Sequence, residues 1–539
     1  MHNFRRSISV WGRVAASLWL FTFAVCMALL AQSTDVVTYH NDVARTAQNL
    51  QETILTTSNV NSSSFGKLLT LPVDGVIDAE PLYLSGVSIP GQGTHNIVYA
   101  VTENDSVYAF DADDGTLLWQ VSVLGSGESP SGDHGCGQIT PQIGITSTPV
   151  IDRSSGPHGT IYVVAMSKNS SSQYFQRIHA LDITSGKEEF GGPVAVQAKY
   201  PGTGDNSQNG YVIFDPAQYA ERQGLLLLNH VIYTGWTSHC DQRPYTGWLI
   251  GYHEKTLKQS SVLDVTPNGN EGAIWQAGGG LAAYGKDIFF LDANGTFDTN
   301  LDANGFPSMG DYGNAFVRVS TKGGTLAVAD YFTMYNTVAE SDADEDLGSG
   351  GAMVLPPLTD SKGKTRYLAI GAGKDGNIYL VNRRKMGKFN PNNDSAIYQE
   401  IDGALSGGVW STPAYFNGSV YFGPEGNHLL QFQFSADARL HKSPQSKSAI
   451  SFAYPGTAPS VSANGASNGI VWAIEHTGGT DVLHAYDAGK LSHELYNSNQ
   501  AGSRDHFGTA SHFGTPMIVN GKVYVGTTNS VAVFGLMGQ

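Results

Sequence analysis

One block recurs along this chain. Residues 97–119 read IVYAVTENDSVYAFDADDGTLLW: an alternating strand, a polar turn, a second alternating strand, then Asp-x-x-x-Gly and a tryptophan. Variants recur at 160–190, 231–257, 367–383, 469–491 and 522–535. Several are preceded by a small-x-Pro-apolar entry, at Glu80-Pro81, Thr148-Pro149, Thr412-Pro413, Ala458-Pro459 and Thr515-Pro516. A period of roughly 45–60 residues, each carrying several short strands, is the signature of a propeller or a similar radial array. In such an array each sheet buries its faces against its neighbours. The repeat therefore constrains the fold and leaves the function open.

Counting from Val73 gives eight units, at about 74–125, 138–195, 205–265, 270–335, 345–402, 403–450, 452–500 and 501–539. The expected fold is all-β, a single propeller of eight four-stranded blades. Seven is the competing count, because the unit at 270–335 is irregular. The last unit is short, and a closed ring must hide its edge strands. Residues 65–73 (FGKLLTLPV) are the natural donor of the missing strand. The chain then divides into a targeting segment (1–33), a lead-in with the closing strand (34–73) and the propeller (74–539).

Arg5, Arg6 and Arg13 flank the start of an apolar run over 14–30, followed by Ala31-Gln32-Ser33, a small-x-small cleavage signal. The expected location is periplasmic or extracellular, with no stable membrane span after cleavage. A retained anchor is the alternative, since the run sits at the short edge for a span. Loss of three arginines takes the net charge from −16 to −19. Such an acidic protein repels phosphate backbones, which argues against a nucleic acid partner. Cys136 and Cys240 remain, both in polar loops, either bridged or as two free thiols. No CxxC or His pair accompanies them, so they do not form a metal site. No Cys-x-x-Cys-His is present to attach haem.

The repeat Ala109-Phe110-Asp111-Ala112-x-x-Gly115-x-x-x-Trp119 resembles the tryptophan-docking repeat of the pyrroloquinoline quinone (PQQ) propeller superfamily. Residues 39–46 (YHNDVART) followed by Asn59-Val60 resemble the lead-in before the first blade of those proteins. The match covers nearly the whole mature chain. It is closest to secreted bacterial PQQ-binding-like propellers, and more distant from the quinoprotein alcohol dehydrogenases. In that enzyme branch PQQ lies on the axis between a tryptophan and a vicinal disulfide, beside a calcium or lanthanide ion.

The resemblance implies a candidate site. Trp275, in EGAIWQAGGG, resembles the stacking tryptophan, and Asn294-Gly295 the turn that supplies a metal-ligand asparagine. Asp346 falls where the family has its catalytic aspartate, which also makes it a metal-ligand candidate. Lys374, in AGKDGNIYLVNR, resembles the cation that contacts the quinone oxygens. Trp410 closes a stretch resembling Gly-Gly-x-Asn-Trp, with Val409 where the family has asparagine. Cys136 stands near the place of the vicinal pair, which is absent. Asp241, beside Cys240, is a shorter substitute for a metal-ligand glutamate. The parallel also implies that Cys136 and Cys240 approach within bridging distance, Cα atoms under roughly 7 Å apart.

Each residue has a plainer reading. Trp275 and Trp410 suit inter-blade packing, Lys374 a hairpin tip, and Asp346 an acidic, solvated run with Glu340, Asp342, Asp344 and Glu345. Within 291–311, Asp298-x-Asn300-x-Asp302-x-Asn304-Gly305 imitates the start of a calcium loop. Ala303 and Met309 replace the glycine and glutamate that an EF-hand needs. Two functions stay open. One is an exported binding module for a protein, glycan or small molecule, without evident catalysis. The other is a PQQ-dependent alcohol or sugar dehydrogenase with calcium or a lanthanide.

Overall fold

The computed structural model describes residues 35–538. The targeting segment expected at 1–33 lies outside them. Among the described residues, no helix is long and apolar enough to cross a membrane.

The chain is nearly all β. Among the described residues, eight sheets that each contain a four-strand antiparallel run follow one another in sequence, with first strands at Leu82–Ile89, Val150–Asp152, Leu226–Leu228, Ala282–Tyr284, Met353–Val354, Ala414–Phe416, Ser460–Asn464 and Met517–Val519. The irregular unit forms a full sheet of its own, in the order Ala282–Tyr284, Asp287–Leu291, Phe316–Ser320, Ala327–Phe332. Its irregularity is an insertion between the second and third strands. The last sheet takes its fourth strand from the other end of the chain. Phe65–Pro72 pairs antiparallel with Ser530–Leu536, Phe65 opposite Leu536 and Pro72 opposite Ser530.

Strand alternation sends successive side chains to opposite neighbours. In the third sheet Ile232, Trp236, Trp248 and Ile250 pack on the second sheet, while Tyr233 and Leu249 pack on the fourth. The fourth and fifth sheets share a core through Phe289 and Tyr379, the fifth and sixth through Leu380 and Phe432, and the sixth and seventh through Tyr421 and Val471. Trp472 and Phe534 join the seventh to the eighth. Tyr524 and Val533 of the eighth then pack with Tyr99 of the first.

The recurring tryptophan has a visible cause. Asp111 Oδ1 accepts the Asp113 amide (2.7 Å), and Gly115 takes φ +82°, so the turn delivers the strand Leu117–Ser122. Trp119 on that strand donates its Nε1 to the Ile183 carbonyl of the next sheet (3.0 Å). A side chain at Gly186 would collide with the Trp119 ring, so the next unit's turn leaves room for the indole.

Residues 36–49 touch the first strand, or the residue just before it, of each of these eight sheets. Val36 exchanges hydrogen bonds with Tyr83 (2.9 Å each), and the Val37 carbonyl accepts from Ile151. Arg45 Nη2 and Nε donate to the Leu225 and Leu281 carbonyls. The Val43, Ala44, Thr46 and Ala47 carbonyls accept from Ala283, Val354, Tyr415 and Val461. Asn49 Nδ2 donates to the Ile518 carbonyl (3.0 Å). Fourteen residues reach at most about 50 Å when extended, and positive φ at His40, Asn41, Arg45 and Ala47 coils the segment further. The first strands therefore converge on it. Arg45 is fully buried there, and burial pulls its pKa down to about 10.

Candidate functional site

The second strands of the third, fourth and fifth sheets end at Thr237, Leu291 and Gly371. Just beyond them the chain carries Cys240 and Asp241, then Asn294, then Lys374. Loops entering the second, fourth, fifth, sixth and seventh sheets bring Cys136 and Gln138, Trp275, Asp344 and Asp346, Trp410, and Tyr454. All of these line one cavity of about 480 Å³, with Arg222 and His239. Residues separated by hundreds of positions thus share one enclosure.

Trp275 is fixed by a buried amide relay. Gln276 Oε1 accepts the Leu291 and Ala352 amides, and Gln276 Nε2 donates to Gln223 Oε1. Gln223 Nε2 in turn donates to the Trp275 carbonyl (2.7 Å). Gln276 and Ala277 hold φ of +43° and +49°, a conformation disfavoured for residues with a Cβ and kept where surrounding contacts over-determine it. The Trp275 ring stands edge-on to Phe513 (5.4 Å, 89°), and Trp410 edge-on to Tyr454 (5.2 Å, 73°). Both indoles are half-buried, so they pack on the wall and still face the cavity.

Charge concentrates at Lys374. Its Nζ pairs with Asp344 and lies 2.8 Å from Asp346 Oδ1. Asp344 Oδ1 also accepts from Asn294 Nδ2 (2.7 Å), while the buried Asn294 Oδ1 has no protein partner. Burial pushes the Asp346 carboxyl up to about 6, outweighing the pull of Lys374, and the two carboxylates raise the lysine. Asp346 in the folded protein thus holds its proton to higher pH than in the unfolded chain. Its contribution to stability is present below about pH 4 and is lost as pH rises through 6. Two pKa units correspond to about 3 kcal/mol. Asp346→Asn should therefore shrink the stability loss between pH 4 and 7 by up to about 3 kcal/mol. Urea midpoints at both pH values check this; an unchanged difference would refute it.

The structure joins Cys136 and Cys240 in a disulfide, Cα atoms 5.3 Å apart. The bridge is not vicinal, yet it lies in the same wall as Trp275. Cys240 and Asp241 both have positive φ, 49° and 54°, and both line the cavity. Asp241 accepts a hydrogen bond from the Tyr245 hydroxyl (2.7 Å). Behind the bridge His239 stacks on His134 (3.9 Å, 3°), and burial pulls His239 down to about 3.

Several expectations need amendment. The acidic run is not simply solvated: Glu340 is buried, with its carboxyl pushed up to about 7 by burial, and Asp344 bridges Asn294 to Lys374. Lys374 is drawn to Asp344 and Asp346 rather than presented at an open hairpin tip. In the calcium-like loop the carboxylates serve local turns. Asp298 accepts from the Asn300 and Met309 amides, and Asp302 from those of Asn304 and Phe306. Sequence reasoning did not single out Arg222, His239, Gln138 or Tyr454, which belong to no local motif.

The donor set does not fit the metal ion that the enzyme branch carries. Among the described residues, no group of three His, Cys, Asp or Glu side chains is placed to hold one. Of the expected ligands, Asp346 already has an ammonium as counter-charge and Asp241 Oδ1 accepts from Tyr245, which leaves only a few oxygens on three residues, the buried Asn294 Oδ1 among them. Hard divalent ions prefer six or more oxygens, several of them carboxylate.

No family model matches the chain, and no curated protein matches it in sequence. Solved structures do. A quinohemoprotein alcohol dehydrogenase from Pseudomonas putida HK5 superposes with a TM-score of 0.61 at 14% identity, covering 94% of this chain and 81% of that one. The quinohemoprotein alcohol dehydrogenase of Comamonas testosteroni gives 0.59 at 14%, with 94% and 81% covered. A europium-containing methanol dehydrogenase gives 0.59 at 13%, with 93% and 98% covered. The chain has the propeller fold of the quinoprotein alcohol dehydrogenases. At such identities the likeness is one of fold, and function must be argued from the site.

Proposed function

We propose that this is an exported propeller of eight blades, closed by Phe65–Pro72, whose axial cavity binds a small, uncharged, ring-shaped polar molecule such as a sugar unit. The cycle of shared cores and the segment 36–49 crossing every first strand support the ring. The carrying observation for the ligand is the cavity wall. Two half-buried indoles offer flat apolar faces beside the carboxylates of Asp241, Asp344 and Asp346, which accept hydrogen bonds from hydroxyls. Lys374 is paired with two carboxylates, and the three lining carboxylates Asp241, Asp344 and Asp346 outnumber the two lining cations Lys374 and Arg222, so the cavity has no excess of positive charge to attract an anion. A few convergent polar groups on an apolar wall are what a small-molecule site needs.

A second reading has one specific observation in its favour. Trp275, Trp410, Lys374, Asp346, Asn294 and a disulfide share the cavity, as a PQQ-dependent dehydrogenase requires. PQQ, when bound, accepts hydride from an alcohol carbon. Trp275 and Trp410 would hold the flat ring, Lys374 would face its oxygens, and Asp346 would take a proton from the substrate hydroxyl.

Calorimetric titration with neutral mono- and disaccharides tests the first reading. Binding should weaken about tenfold in Trp275→Ala, the loss of about 1.4 kcal/mol of stacking. PQQ binding, with dye-linked alcohol oxidation abolished by Asp346→Ala, would replace this reading with the second.

A further inference from the structure

Arg383 is buried, 4% exposed, and none of Nε, Nη1 or Nη2 has a hydrogen-bond partner. It follows the strand Ile378–Asn382 of the fifth sheet. Its guanidinium lies over the Tyr284 ring (4.0 Å) and near that of Tyr367 (5.5 Å). Arg384 stacks on Tyr367 (4.2 Å). Arg318, on the strand Phe316–Ser320 of the fourth sheet, donates Nη1 to the Arg383 carbonyl (2.8 Å) and leaves its own Nε unpartnered. Two acids lie near them: Asp287, 3.6 Å from Arg318, and Asp330, which stands opposite Arg318 on the neighbouring strand and accepts the Met386 amide. Burial lowers the Arg383 pKa, and Arg384 adds to the effect.

Such a guanidinium has lost its water and gained no acceptor, an arrangement that is costly unless an anion completes it. The excess of arginines also runs against a chain of net charge −16. The place is far from the axial cavity. Asp287 opens the strand whose far end leads to Asn294, and five residues of strand span about 15 Å. The roof is Tyr284, 53% exposed, at the tip of a hairpin.

We propose that Arg383, Arg384 and Arg318 form a binding notch for a tetrahedral oxyanion, a phosphate or sulfate group, on the face opposite the axial cavity, with Tyr284 as its cover. Guanidinium donors match the several oxygens of such a group by paired hydrogen bonds, which a single lysine cannot do. Because Tyr284 covers Arg383, the anion binds the conformation in which the ring has swung aside. The apparent affinity is then reduced by the rarity of that conformation.

The test is thermal unfolding of the full chain at constant ionic strength, in chloride, inorganic phosphate or sulfate. Phosphate near a hundred times its Kd should raise the midpoint by about 2–4 °C. Arg383→Met should abolish that rise while leaving stability in chloride equal or higher, because it removes an unpaired buried charge. Arg384→Gln should weaken phosphate about tenfold, and Tyr284→Ala should strengthen it by lifting the cover. Co-sedimentation with phosphatidylglycerol vesicles separates sources. Pelleting of wild type but not of Arg383→Met assigns a lipid headgroup, and stabilisation by phosphate without pelleting assigns a free anion. Neither effect, or a phosphate shift retained in Arg383→Met, would overturn the notch. So would loss of stability in chloride for Arg383→Met, which marks Arg383 as packing alone.

Discussion

A chain lacking residues 34–73 is expected to fail as a soluble monomer. The deletion removes the strand that pairs with Ser530–Leu536 and leaves that strand as an open edge, a template for pairing with other chains. It also strips Phe65, fully buried against Trp472, Tyr496 and Phe534. Val36, Tyr39, Ala47, Leu55, Val60 and Leu71 are buried as well. At roughly 1.5–3 kcal/mol for each large apolar side chain, the loss approaches or exceeds the 5–15 kcal/mol that typically separates folded from unfolded states. The carbonyls that accept from the first strands disappear too, leaving buried amides without partners. Size-exclusion and circular dichroism should show aggregated or poorly cooperative material. A monomeric variant that unfolds like the parent would mean that neither the strand nor the segment 36–49 holds the sheets together.

The strands were legible because their side chains alternate, and the donor strand because the last unit is one strand short. The tryptophan of the repeat was legible as a spacing, and the structure supplies its reason in the Ile183 carbonyl and the room left at Gly186. The path of residues 36–49 was not. It is set by backbone hydrogen bonds and left-handed residues such as His40 and Arg45, and neither leaves a periodicity. The gathering of Trp275, Asn294, Asp346 and Lys374 came from family likeness, since spacing along a chain cannot place four loops over one axis. Asp344 was hidden for a physical reason. An acidic run reads as solvated until a lysine from another sheet is seen to fold onto it. Arg383 was equally silent, because burial of a guanidinium between tyrosines from two sheets is invisible to local pattern.

Opening the Cys136–Cys240 bridge should be the costliest change confined to two side chains. The bridge spans 104 residues of sequence, a span that holds the four-strand run of the second sheet and part of the third. Restricting a loop of that length in the unfolded chain stabilises the fold by about 4–5 kcal/mol in the chain-entropy account. Cys136→Ser, Cys240→Ser and the double variant should lose the same amount, since each opens the same loop. Wild type in reductant should fall to their level in urea unfolding. Losses well under 1 kcal/mol, or single variants that add, would reject the bridge as the tie. The two loops keep other links in the reduced form. Gln242 Nε2 donates to the His134 carbonyl (3.1 Å), and His134 stacks on His239. Those contacts should hold the loops near each other without fixing the wall that faces Trp275. Ligand affinity should therefore drop on reduction even in conditions where the fold is still fully populated. That separates the bridge's part in the cavity from its part in stability, because loop entropy alone would leave affinity unchanged until unfolding begins.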